Sequence, residues 1–382
     1  MRIAQISPLH ESVPPKLYGG TERVVHFLTE ALVDLGHEVT LFASGDSSTR
    51  AELVPCAPAA LRLDPRCVDP LAHHVNMFEH VFARAHQFDV LHFHTDYLAF
   101  ALAQRQAVPH VATMHGRMDF ADYVPLFDTF SSVPLISISD SQREPLPEAN
   151  WRGTVYHGLP LDLYRLVPRH RGYLAFVGRI SPEKRVDRAV EIARRLGMPL
   201  KIAAKIDGKD RDYFESEIKP LFADPLIEFV GEIGESEKNE FLGGAAAFLF
   251  PIDWPEPFGL VMIEAMACGT PVVAFRRGSV PEVMRDGVSG YVVDSIDAAV
   301  AATERAVELP RAGVRDYFEE RFSAPRMATD YLAIYEELIE SARLRRGRGR
   351  TAFGLAAIDA EGDADAGHGG EGLGGESGVR MD

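Results

Sequence analysis

The chain has 382 residues, a formal net charge of −16 and a hydrophobic content of 46%. That length suits about two ordinary domains around sizeable cores, and the acidic balance argues against a general nucleic-acid binder. No apolar run approaches the ~20 residues that span a bilayer, and Cys56, Cys67 and Cys268 are too sparse for a disulfide scaffold, so they read as reduced thiols of a cytoplasmic protein.

In chain order, short apolar runs alternate with amphipathic segments. RIAQIS (2–7) reads as a strand; it lacks the long apolar region and cleavage site of a signal peptide. TERVVHFLTEALVDLG (21–36) reads as a helix whose ends suit Thr21 and Gly36. EVTLFAS (38–44), VLHFH (90–94), HVATMH (110–115) and LISIS (135–139) follow as strands. The Pro/Gly punctuation of HGLPLDLYRLVPRHRG (157–172) marks a break. Beyond it, YLAFVG (173–178), LKIAAKI (200–206), IEFVG (227–231), AAFLFP (246–251), PVVAF (271–275) and GYVVD (290–294) repeat the theme.

Strands spaced by helical patterns predict an α/β protein with parallel sheets and crossover helices. We expect two facing Rossmann-like domains, 1–160 and 161–325, with ligands in the cleft beyond the carboxyl ends of the strands. A C-terminal helix, 326–346, is expected to pack back towards the first domain. The tail 347–382 is rich in glycine and acid and reads as disordered, because it cannot bury enough apolar surface to order itself. RLRRGRGR (343–350) reads as a solvated helix end, with weak contact to an anionic membrane surface as the second reading.

Several stretches carry chemistry. Gly19 and Gly20 lie between the first strand and first helix, where glycine lets a backbone approach a phosphate closely. His92 and His94 share a strand face in HFHTD, and Asp96 follows them; His94 or Asp96 is expected to shape an acceptor side. His115 and Gly116 end a cleft-facing strand. In FVGRISPEKR (176–185) Ser181 is the expected N-cap and Pro182 the first helical residue. Arg179 and Lys184 would flank that helix start, and two cations beside free amides suit a diphosphate. The backbone around Gly231 to Ile233 is the expected base contact.

EPFGLVMIEAMACGTPVVAF (256–275) places Glu256 and Glu264 in an apolar run, where a carboxylate needs a partner. A helix from Gly259 or Leu260 through Ala267, stopping at Gly269, puts Glu256 in the loop before it and Glu264 one turn inside. The amides of Phe258, Gly259 and Leu260 precede the first helical bond and suit an anion or a sugar hydroxyl. Each carboxylate matches the vicinal diol of a ribose or hexose.

This stretch resembles the glutamate-x7-glutamate motif of retaining glycosyltransferases of family 4 (glycosyl transferases group 1), which have the GT-B fold. YGGTE, TMHG, FVGRISPEKR, GSVPEV and DGVSGYVV stand in the order that the resemblance requires, over roughly residues 1–345. The resemblance implies transfer of a glycosyl unit from a UDP-, GDP-, ADP- or TDP-sugar to an acceptor hydroxyl, with retention and without a metal or other cofactor. It implies that Arg179 and Lys184 hold the diphosphate, that the loop at Gly19 and Gly20 faces it, and that His115 contacts the transferred sugar. Glu264 would hold the ribose and Glu256 the sugar. Two departures stand out: Arg185 replaces a glycine common in the family, and LKIAAKI lacks glycines there, with Lys205 at the nucleotide end.

Other readings make the chain a nucleotide-sugar epimerase of the same fold or a non-catalytic sugar-nucleotide-binding protein. The histidine pair of HFHTD raises a metal-dependent amidohydrolase, against which stands the lack of an eightfold β/α repeat.

Overall fold

The computed structural model describes residues 1–16 and 19–361, with side chains as far as Arg345. Met1–Leu338 form one compact unit and a second begins at Ile339. Within the first, the strands are β1 (Arg2–Ile6), β2 (Glu38–Ser44), β3 (Glu52–Ala57), β4 (Val90–Phe93), β5 (His110–Thr113), β6 (Leu135–Ser137) and β7 (Trp151–Thr154). They pair in the order β3-β2-β1-β4-β5-β6-β7, all parallel.

A second parallel sheet holds β8 (Tyr173–Arg179), β9 (Leu200–Lys205), β10 (Ile227–Gly231), β11 (Ala245–Phe250), β12 (Val272–Phe275) and β13 (Gly290–Val293). Its order is β10-β9-β8-β11-β12-β13. Both sheets reverse direction of build beside their first strand, β1 or β8. Such switch points leave a crevice at the strand carboxyl ends. The expected α/β GT-B architecture is therefore present.

The strands read from sequence are all found, and two were missed. Both, β3 and β7, are edge strands. Pro55 interrupts the ladder of β3, which only an edge tolerates, and β7 carries Gly153 and is half-buried throughout. Buried runs such as β11, AAAFLF, follow from burial on both faces of a parallel sheet. The segment between the sheets is fastened by arginine. Arg315, nearly fully buried, donates to the carbonyls of Leu161, Tyr164 and Ala267, and Arg311 to those of Val167, Gly243 and Ala245.

The last helix begins at Ala324 and runs to Glu361. Tyr331 and Tyr335 on it are fully buried against the first sheet, where they meet Thr113, His92 and Gln5. The helix thus passes residue 346, which corrects the tail reading as far as 361. Ala352 and the alanines of LAAIDA are strong helix formers, and they extend a helix already begun. The remainder of that tail, 362–382, lies outside the described residues. Arg343 to Arg345 are exposed, as a solvated helix end requires; the rest of the arginine cluster lies outside the described side chains. Among the described residues no helix is long and apolar enough to cross a membrane.

Candidate active site

The loop after β11 carries the first glutamate. The helix that follows spans Leu260–Ala267, as read from sequence. Gly259 before it and Gly269 after it have φ of +83° and +79°, a region that disfavours side chains. The GSVPEV motif holds the loop from behind. Ser279 donates its backbone N–H to the Glu256 carbonyl at 2.9 Å and its hydroxyl to the Phe258 carbonyl at 2.9 Å. Gly278 makes this approach possible, since a Cβ there would lie 2.4 Å from the Glu256 carbonyl oxygen.

Glu256 and Glu264 sit in different company. Glu256 accepts from Lys184 Nζ at 2.6 Å. Glu264 is buried, at 3% exposure, and both its oxygens accept from Lys238 Nζ, at 2.8 and 3.0 Å. A surface role for Glu264 is thereby excluded. Lys238 lies on the helix Glu235–Gly243, which starts just after Gly231 and Ile233. Gly231 ends β10 with φ +81°.

The FVGRISPEKR stretch departs from its expected form. Pro182–Lys184 make a single 3-10 turn, and the α-helix starts only at Val186. Ser181 makes no capping bond. Between turn and helix Arg185 takes φ +53°, a left-handed conformation that glycine adopts without cost. This residue breaks the expected continuous helix, and ion pairs to Asp187 and Asp253 hold it there. Lys184 and Arg179 do not converge on one point: Arg179 faces Glu183 at 2.9 Å, with Asp207 and Asp210 at 3.5 and 3.8 Å. A depression of about 730 Å³ beside the turn is rimmed by Glu183, Asp187, Glu217 and Asp253, with Arg185 as its one lining cation among the described residues, already paired with Asp187 and Asp253. Its carboxylates make it a poor diphosphate site. Lys205 pairs with Asp207 at 3.2 Å.

Residues of the first sheet's half reach this loop. A Cβ at Gly20 would lie 3.9 Å from Leu260 Cδ1, so Gly20 faces the second glutamate's helix, whereas Gly19 is packed against Pro15 and Glu11. The His115 ring stacks on His157 with centroids 5.4 Å apart, and His157 meets Phe258 edge-on at 4.8 Å. Arg117 lies over the Trp254 ring at 5.8 Å, and Lys184 Nζ over the same ring at 4.9 Å. The structure therefore gathers Gly20, His115, Lys184, Glu256, Phe258, Gly259 and Leu260. Arg179, Gly231 and Ile233 stand further along the second sheet's carboxyl edge. Asp96 is exposed after β4 with φ +50°.

His94 is not at the surface. His94 Nδ1 lies 2.8 Å from His115 Nε2, and His94 Nε2 lies 2.7 Å from Gln5 Oε1. His92 is fully buried between Tyr335 Oη at 2.6 Å and Thr113 Oγ1 at 2.7 Å. Acceptor contact through His94 is thus corrected: the pleat turns both rings inward, under the C-terminal helix. Neither ring has a nitrogen left for a metal, and the described residues contain no cluster of three metal-ligating groups.

Burial keeps these rings neutral. It holds His92, His94 and His157 well below the usual imidazole range and His115 down to about 3. Unfolded, each titrates near ~6.5, so the unfolded chain binds the extra protons on acidification. Stability should be full above about pH 6.5 and fall as pH drops towards 3, by up to ~1.4 kcal/mol per pH unit for each ring. Melting temperatures across this range test the sign. A His157→Phe variant should lose stability less steeply in acid than the wild type.

Sequence reasoning missed Gln5, Lys238, Trp254 and Glu282. Trp254 adjoins the EPFGL motif and was within reach of it. Glu282 accepts from the backbone of Asp140 and Ser141 at 2.7 and 2.8 Å and from Tyr156 Oη at 3.2 Å, which no local pattern announces.

The glycosyl transferases group 1 family model matches residues 166–321, and the Glycosyltransferase Family 4 model matches residues 18–139. The chain is 26% identical to an alpha-maltose-1-phosphate synthase of Mycolicibacterium smegmatis over 88% of its own length and 100% of that protein. Sucrose-phosphate synthase from Thermosynechococcus elongatus superposes with a TM-score of 0.74 at 19% identity, covering 89% of this chain and 100% of the other. Anabaena HepE, solved with UDP and glucose, superposes with a TM-score of 0.68 at 16% identity, covering 88% and 100%. With both halves matched and both sheets ordered as GT-B requires, the chain belongs to the family 4, group 1 glycosyltransferases.

Proposed function

We propose that this glycosyltransferase moves a sugar from a nucleotide-diphosphate donor to an acceptor hydroxyl with retention of configuration, and that it needs no metal. The observation that carries the reading is the contact of Lys184 with Glu256 at the start of an amide-lined loop, faced by the His115–His157 stack. The barrier in such a reaction lies in leaving-group departure from an oxocarbenium-like centre. A fixed cation beside the departing diphosphate stabilises the charge that develops there.

In this reading residues 161–325 bind the donor and 1–160 the acceptor. Lys184 serves the diphosphate, and Arg179 joins it by exchanging its carboxylate partners for phosphate oxygens. The backbone at Gly19 and Gly20 approaches the same group. Glu256, with the amides of Phe258, Gly259 and Leu260, positions the sugar; His115 lies beside that sugar. Glu264 holds the ribose, and the backbone of Gly231 to Ile233 meets the base. The UDP bound by Anabaena HepE supports a nucleotide donor of this kind. The free thiols Cys56, Cys67 and Cys268 support a cytoplasmic setting.

A thermal-shift panel of UDP, GDP, ADP and TDP tests the donor site. The matching nucleotide at 100 times its dissociation constant should stabilise the fold by about 2.7 kcal/mol. Incubation with the matching nucleotide sugar should release nucleoside diphosphate, and NMR of the product should show the donor's anomeric configuration. EDTA treatment should leave turnover intact. Loss of turnover that a divalent ion restores would overturn the metal-free assignment.

A further inference from the structure

Beneath His115 lies a chain of buried hydrogen bonds with a definite direction. Gln5 on β1 presents Oε1 to His94 Nε2 at 2.7 Å and donates from Nε2 to Tyr335 Oη at 3.1 Å. An amide oxygen only accepts, so His94 carries its proton on Nε2. The ring being neutral, its Nδ1 is an acceptor. The neighbour at 2.8 Å, His115 Nε2, must then be the donor. His115 Nδ1 is consequently bare, and it has no partner among the described residues.

The other branch agrees. Tyr335 receives from Gln5 and donates to His92 Nδ1 at 2.6 Å; His92 Nε2 donates to Thr113 Oγ1 at 2.7 Å, which meets Tyr331 Oη at 3.1 Å. Turning the Gln5 amide over would reverse every bond and place a proton on His115 Nδ1, with nothing to receive it. An orphaned buried N–H is the rarer defect.

We propose that Gln5, acting through His94, is a positioning residue that holds His115 as the tautomer protonated on Nε2, so that Nδ1 serves as an acceptor for a hydroxyl of the donor sugar. The last step rests on the proposed glycosyl transfer; the tautomer does not. Burial supports the assignment, since it keeps both rings neutral over the working pH range.

The test is nitrogen-15 NMR of the full chain with labelled histidine, His115 being assigned by its loss in His115→Gln. The wild-type His115 ring should be protonated on Nε2. Gln5→Met removes the acceptor and should shift His115 to the other tautomer or a mixture. Its kcat should fall about 10- to 100-fold, the scale that removing an outer partner costs at metal-ligating histidines, while nucleoside diphosphate binds as before. Gln5→Glu supplies an acceptor-only group and should restore the Nε2-protonated ring.

A wild-type His115 protonated on Nδ1, or an unchanged ring in Gln5→Met, would overturn the proposal. So would a changed ring with unchanged kcat. If Gln5→Met does not fold, the wild-type spectrum alone decides the direction. These spectra are read on the free protein, so a failure to transfer sugar would remove the proposed reaction and leave the tautomer result standing.

Discussion

Lys184→Ala is expected to lower kcat ~100- to 1000-fold, the usual cost of losing one preorganised electrostatic group. Its ammonium is held 2.6 Å from Glu256 and over the Trp254 ring, so it is positioned before any donor arrives. Glu256→Gln should act on the same step: a lower kcat, with free nucleoside diphosphate bound almost as in wild type. Because the two side chains touch, their effects should not add, and a double-mutant cycle measures the coupling. Wild-type turnover in Lys184→Ala with an authentic donor would remove the diphosphate assignment.

Glu264→Gln should fail in another way. A group that grips the unchanging ribose contributes to ground and transition states alike, so its loss raises the donor KM and weakens nucleoside diphosphate binding. The structure adds a second effect. Lys238 is mostly buried and holds Glu264 at 2.8 Å; stripped of that partner it keeps only the more distant Glu235 carboxylate at 3.9 Å, so its charge is poorly compensated. Removing one member of such a pair costs about 3–5 kcal/mol. Chemical denaturation should show this loss, and Lys238→Met in the same chain should recover much of it. Nucleotide affinity should stay low in the double variant. If affinity recovers along with stability, Glu264 serves Lys238 alone and no ribose.

The parts of the fold that were legible in sequence are those where burial writes a period. β8 and β11 are buried on both faces and read as plain apolar runs. β3 and β7 are edges, half-wet, and carry proline or glycine, so they left little trace. Glu256 and Glu264 were visible because acid in an apolar run is costly and therefore conspicuous. Their partners were not: Lys238 is an ordinary charged residue on an ordinary polar helix, and only the tertiary fold brings it to Glu264. Gln5 looked like one more strand position. Arg185 shows the limit of a local rule. Nothing in its side chain favours a positive φ, yet two neighbouring carboxylates keep it there.

The short helix Val280–Val283 joins two of the contacts described above. Ser279 at one end is bonded to the carbonyls of Glu256 and Phe258; Glu282, one turn on, is bonded to the Asp140–Ser141 turn and Tyr156. Two residues, Val280 and Pro281, thus separate the bonds to the Glu256 loop from the bonds to the first sheet's half. Consecutive hydrogen bonds link the Asp140 turn to the Glu256 loop through one short helix. Substitutions at Asp140 or Tyr156, remote in sequence from any motif, should therefore be felt at the Glu256 loop.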